Sequence, residues 1–202
     1  MRDRFGPPLP RAFFTRTAAQ VASALLGATL VHHFGVKTSA GVIVETEAYV
    51  GAHDLACHAS KGLTQRTRGM FGEAGHAYVY LIYGMHHCFN VVTDVPGIGA
   101  AVLVRALRPI AGCEVDADGP DKLCRALSIE RALDGVDLCA PRAALSIRRG
   151  ETMEPARIST GPRIGVAYAG EWADAPLRFW IADDPWVSRA SAATRRLRRS
   201  AT

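Results

Sequence analysis

No cysteine in this chain has a partner at disulfide-ladder or metal-binding spacing. The five, Cys57, Cys88, Cys113, Cys124 and Cys139, are scattered singly and form no CxxC pair. Buried thiols in a reducing compartment are expected instead. Long apolar runs are missing as well. None approaches the ~20 residues that cross a bilayer, and the opening Met1-Arg2-Asp3-Arg4-Phe5-Gly6-Pro7-Pro8 has no signal-peptide core. The expectation is a cytoplasmic protein without membrane contact. A GxSxG nucleophile elbow and a glycine-rich phosphate cradle are both absent, which removes two common catalytic readings. Lysine is limited to Lys37, Lys61 and Lys122, so arginine carries most of the positive charge.

The 202 residues suit a single domain over 1–202, with a Pro- and Arg-rich extended arm over 1–12 and a basic tail over 190–202. Hydrophobic residues at 49% and charged residues at 21% are ordinary for a globular chain, so disorder is expected only at the ends. A net charge of +5 fits a polyanion partner, because arginine and lysine opposite phosphates supply most non-specific nucleic-acid affinity.

The run Val42-Ile43-Val44-Glu45-Thr46-Glu47-Ala48-Tyr49 reads as a β-branched strand that carries two carboxylates. Alternation puts Ile43, Glu45, Glu47 and Tyr49 on one face and Val42, Val44, Thr46 and Ala48 on the other. A buried, unsatisfied polar group costs about 1–3 kcal/mol and a charge more, so these acids need partners. Either both face solvent or join a structural network with arginine, or one is a general base held rigidly by the sheet with Tyr49 beside it.

Elsewhere, Thr17-Ala18-Ala19-Gln20 has the form of a capping box and opens an amphipathic helix of about ten residues that stops at Gly27. Residues 28–34 are strand-like and pair with the acid-bearing strand. Residues 51–75 form a long polar loop holding His53, His58, Arg66 and Arg68. A second hairpin spans 77–92, with Tyr83, Met85 and His86 crowding a tip where Asn, Asp and Gly are usual. Residues 100–107 read as a buried strand interrupted by Arg105, whose charge calls for a carboxylate or an anion. A short helix starts at Pro120, residues 138–160 read as irregular, and a strand over 177–181 closes the sheet.

His53, Cys57 and His58, with His86, His87 and Cys88, are zinc-type ligands, but adjacent histidines on a strand face opposite ways and no paired-ligand spacing occurs. Hydrogen-bonding histidines are expected, with no metal and no other cofactor. What remains is acids on a strand, one buried arginine, a histidine loop and a tyrosine-rich hairpin on a basic protein. That set fits chemistry on an extruded base: Tyr49 and Tyr80 sandwich it, a tip residue fills the vacated stack, Arg105 positions water or phosphate, and Glu47 activates the water. Core packing with surface hydroxyls is the competing account of each tyrosine taken singly.

Six segments then occur in one order: Val44-Glu45-Thr46-Glu47-Ala48-Tyr49, Arg68-Gly69-Met70-Phe71, Tyr78-Val79-Tyr80-Leu81-Ile82-Tyr83-Gly84-Met85, Arg105-Ala106-Leu107, Gly119-Pro120-Asp121-Lys122-Leu123-Cys124 and Ala169-Gly170-Glu171-Trp172. In these the chain resembles the alkyladenine (3-methyladenine) DNA glycosylase family over nearly its whole length. The resemblance implies a mixed α/β fold, with a curved, mostly antiparallel sheet, flanking helices and a protruding hairpin that enters the minor groove. It makes Glu47 the base that deprotonates water for attack on the anomeric carbon, Arg105 the residue that helps hold that water, and Glu45 a structural neighbour. Tyr49, His58 and Tyr80 would line the base pocket, Asn90 would clash with the amino group of normal guanine, Tyr83 would intercalate, and Met70 would wedge beside it.

The implied activity is hydrolysis of the N-glycosidic bond of damaged purines in duplex DNA, the first step of base excision repair. 3-Methyladenine is the leading substrate, with hypoxanthine and ethenoadenine as further candidates. No lysine falls among the matched pocket positions, so a Schiff-base lyase step has no nucleophile and a monofunctional enzyme is expected. A monomer without an obligatory protein partner is also expected. His86-His87 and Phe89 depart from the animal pattern and bear on lesion range more than on the reaction. The rival account is a catalytically silent binder of distorted DNA, and a metal-dependent hydrolase is a third.

Overall fold

One strand organises the sheet. The computed structural model describes residues 5–188, so the start of the expected arm and the whole of the expected basic tail lie outside the described residues. The strand β2, Lys37–Tyr49, pairs through its first half with β1, Thr29–Phe34, across the turn at Gly35 and Val36. Its other edge takes β5, Ala100–Ala111, along nearly its whole length. Beyond the end of β1, the second half of β2 takes β8, Arg178–Ile181.

The hairpin strands β3, Ala77–Ile82, and β4, His86–Thr93, extend the sheet on the far side of β5. β6, Leu145–Arg148, edges β1, and β7, Ile158–Gly161, edges β8, and every pairing is antiparallel. The mixed α/β fold with a curled antiparallel sheet is therefore as expected. Among the described residues, no helix is long and apolar enough to cross a membrane.

One helix covers the face opposite Glu47. The capping box forms at Thr17 and Gln20 and starts α2, Ala18–Ala24, shorter than the sequence pattern implies. Gly27 ends this turn at φ +85°, where an added Cβ would lie 2.3 Å from the Glu151 carbonyl oxygen. Val21, Ala22 and Leu25 pack with Leu30, Val44 and Leu107 in the main core, and Thr46 Oγ1 donates to the Ala22 carbonyl at 2.9 Å. Because Thr46 points to α2, Glu47 points away from it. A third helix, Pro120–Ala126, packs on β4 and β5.

Two expectations need correction. The expected extended arm over 1–12 runs into a helical turn, α1 (Arg11–Phe14), which buries Phe14 and ties Arg11 to Asp137 at 2.8 Å. Residues 138–160 are not wholly irregular, since β6 and the start of β7 fall there. Four-residue edge strands give too few alternations to register as a pattern, although Leu145 and Ile147 are buried as a strand requires.

Candidate active site

The register between β2 and β5 slips between Ile43 and Thr46, a bulge that lies beside Arg105. Bulges re-aim side chains next to functional sites, and here Arg105 reaches both strand acids. Its Nε donates to Glu45 Oε1 at 3.2 Å, and its Nη1 lies 3.2 Å from Glu47 Oε1. Burial works against that charge, but Glu47 and Glu45 outweigh it and hold the guanidinium above its ordinary pKa. Both acids are fully buried.

Glu47 also receives the Ile164 backbone N–H on Oε1 at 2.7 Å and the Tyr49 hydroxyl on Oε2 at 2.9 Å. Burial and the adjacent carboxylate push the Tyr49 phenol well above its ordinary value, so it stays a donor. Behind Tyr49, the buried Arg163 guanidinium lies 4.8 Å from the ring centroid. Arg163 is fixed by a two-pronged contact with Asp54 at 2.5 and 2.8 Å and by the Ala48 carbonyl at 2.9 Å. Consecutive residues of one segment thus brace the ring and hold the carboxylate.

In front of this group is a cavity of about 170 Å³ lined by Tyr49, His58, Met70, Tyr78, Tyr80 and Asn90, with Arg105, Ile164 and Tyr168 among its other walls. Drug-sized ligands occupy roughly 300–1,000 Å³, so this space is scaled to a single heterocycle. The His58 and Tyr80 rings stand 4.6 Å apart at 63°, and Tyr78 and Tyr80 stand 5.3 Å apart. Burial, with Arg66 nearby, pushes the His58 imidazole below its ordinary value, and its Nδ1 meets the Tyr78 hydroxyl at 3.0 Å. Burial raises the Tyr78 phenol to about 12 and the Tyr80 phenol further.

Asn90 Nδ2 donates to the Tyr78 carbonyl at 3.0 Å. The reversed amide would set oxygen against oxygen, so the carboxamide orientation is fixed and Oδ1 is the atom free of that contact. A larger cavity, about 670 Å³, lies against α2 and residues 149–153 and contains none of the expected site residues. Among the described residues, no group of three His, Cys, Asp or Glu side chains is placed to hold a metal ion.

The expected residues thus separate into two places. Arg105, Tyr49, His58, Tyr80 and Asn90 line one pocket, with Glu47 directly behind its Tyr49 and Arg105 wall. Tyr83 stands apart at the hairpin tip, 89% exposed, with φ +52° beside Gly84 at +72°. A left-handed tyrosine costs about 1–2 kcal/mol, and in so exposed a ring no packing offsets it. Met70 is not at the tip. It is only 3% exposed and packs with Tyr78 and Cys57 under the pocket, while Met85, 69% exposed, is the thioether next to Tyr83. Residues that the sequence did not flag are Arg163, the Ile164 amide and Tyr168. A backbone donor carries no side-chain signature, and the Gly-Pro flank of that segment was its only signal.

The methylpurine-DNA glycosylase family model matches residues 12–185. A protein of Myxococcus xanthus (strain DK1622) is 55% identical over 93% of this chain and 97% of its own length. One from Legionella pneumophila (strain Lens) is 52% identical over 90% and 98%. One from Methanocella arvoryzae is 50% identical over 91% and 96%. All three bear the name "Putative 3-methyladenine DNA glycosylase". Fold, pocket and likeness together define a DNA glycosylase, a hydrolase of N-glycosyl bonds. The chain belongs to the methylpurine-DNA glycosylase family.

Proposed function

We propose that this protein is a monofunctional glycosylase that extrudes an alkylated purine, 3-methyladenine foremost, from duplex DNA and hydrolyses its glycosidic bond with water activated by Glu47. The observation that carries this reading is the furnishing of Glu47. Its Oε1 meets the Ile164 N–H and Arg105, whereas among the described residues Oε2 takes only the Tyr49 hydroxyl. A carboxylate oxygen accepts about two hydrogen bonds, so Oε2 keeps room for a water proton next to the aromatic pocket.

The base enters between Tyr49 and Tyr80, with Asn90 Oδ1 positioned to reject the guanine amino group. As the carbon–nitrogen bond breaks, its electron pair goes to the purine and positive charge develops on the sugar, beside the Glu47 carboxylate. Water adds to the anomeric carbon and yields its proton to Glu47. A purine that already carries alkyl-derived positive charge becomes neutral on leaving and needs no acid. The titratable pocket groups support that preference. Tyr49, Tyr78 and Tyr80 are raised and His58 is lowered, so none is tuned to protonate a neutral leaving base at pH 7. Hypoxanthine and ethenoadenine are accordingly slower substrates.

Tyr83, with Met85 beside it, supplies the wedge that fills the vacated stack. The strain and exposure of that tip support this role and no packing role. The decisive experiment is single-turnover release of 3-methyladenine from methylated duplex by wild type and Glu47→Gln, with chelator in parallel. Release by wild type that chelator does not touch, lost in a variant that still binds lesion duplex, supports the reading. Binding by both proteins without release by either returns the silent-binder account.

A further inference from the structure

Among the described residues, Tyr168 is the one large side chain of the pocket wall that is mostly in solvent, at 73% exposure. It does not swing freely. Val166 and Ala169 are buried against Ala56, and the Ala169 N–H donates to the Val166 carbonyl at 2.9 Å. Tyr168 is therefore the third residue of a tight turn whose two ends are sunk in the protein, which aims the ring outward from a fixed base. The same segment begins at Ile164, whose N–H holds Glu47. A large ring left in water gains little from burial, and among the described residues little covers this one.

We infer that Tyr168 is a substrate-binding residue that packs against the deoxyribose of the extruded nucleotide at the pocket mouth. This rests on the reading of the pocket as the seat of an extruded base. The deep walls, Asn90, Met70 and Tyr78, are buried and meet the base. What stands at the mouth is then the sugar to which that base is attached. Tyr168 thus closes the lip on the side of the Ile164 segment and brings the anomeric carbon over Glu47. The contact is made by the ring, so the hydroxyl is dispensable.

The test is equilibrium binding to a duplex with one tetrahydrofuran abasic analogue, which keeps the sugar and lacks the base, beside an undamaged duplex. Tyr168→Ala weakens binding to the analogue about tenfold, the scale of one aromatic contact to nucleic acid, and leaves undamaged duplex unchanged. Tyr168→Phe matches wild type on both. Binding of Tyr168→Ala within twofold of wild type on the analogue overturns the inference, as does an equal loss on both duplexes, which marks a general groove contact. This measurement needs no turnover. Failure of wild type to release base from methylated DNA would remove the glycosylase reading, while the binding comparison would still decide Tyr168.

Discussion

Glu45 and Glu47 stand two residues apart on one face of β2, both fully buried and both touched by Arg105, yet they are furnished differently. Glu45 accepts from Arg105 Nε at 3.2 Å, Arg178 Nη1 at 3.1 Å, the Ser188 N–H at 2.7 Å and Ser188 Oγ at 2.9 Å. Three of these four fall on Oε1 and the Ser188 N–H alone on Oε2, whereas among the described residues Glu47 takes three donors, two on Oε1 and one on Oε2. Glu47 has a cavity before it and an unfilled direction on Oε2. Burial of an acid therefore marks an energetic demand and not a role. Glu45 is a tie that fastens the 178–188 segment to the sheet, and Glu47, set behind the pocket wall, is the carboxylate proposed for the chemistry.

The largest expected effect separates the two roles. Glu47→Gln lowers single-turnover base release by roughly 10²–10⁴-fold, the range for a positioned general base, with its urea midpoint close to wild type. Glu45→Ala does the reverse. Two arginines and the Ser188 donors lose a buried partner, and breaking a buried pair costs about 3–5 kcal/mol, read by urea denaturation. At low temperature its folded fraction releases base within tenfold of wild type. A folded Glu45→Ala protein as slow as Glu47→Gln would show the chemistry to be shared and would break the comparison.

Single-donor deletions sharpen it. Ser188→Ala takes one hydrogen bond from Glu45 and costs about 1.5 kcal/mol of stability, with no change in rate. Tyr49→Phe takes the donor that Oε2 has among the described residues while keeping the ring, and slows release about tenfold, one pKa-unit-scale interaction of ~1.4 kcal/mol. Its effect on stability is the smaller of the two. If the phenylalanine variant unfolded early but turned over normally, Tyr49 would belong with the structural tie.

How much of this was legible in the sequence follows from what each feature is made of. Alternation in 42–49 places Glu45, Glu47 and Tyr49 on one face without any structure, and the capping box and Gly27 delimit a helix by local chemistry. Pocket membership of His58 and Asn90 rested on family likeness, because sequence spacing cannot bring residues 58 and 90 together. The difference between the two acids was invisible, since it depends on Ser188, Arg178 and the Ile164 amide, all more than 115 positions away along the chain in the bonds that matter. The wedge role of Met70 rested on family likeness as well, and a motif match does not report burial, which here sets Met70 under the pocket.

The smallest expected effect is a pH dependence confined to the pocket side. Glu45 is met by arginines and a serine, whereas the pocket holds the imidazole of His58. Burial and Arg66 lower its pKa beneath the ordinary imidazole value of about 6.5. The neutral ring is thus the form that the folded pocket favours. Affinity for a duplex bearing a cationic alkylpurine is intact from pH 6.5 upward and weakens as pH falls through that lowered value, because an imidazolium would face a positively charged base. Folding stability has the same sign: the unfolded chain binds the proton first, so the His58 contribution is present above pH 6.5 and shrinks below it. Binding measured with Glu47→Gln from pH 5 to 8 reads the effect without turnover, and adding His58→Gln flattens it. A fall of equal size in the double variant would assign the titration to another group and leave His58 a wall of the pocket only.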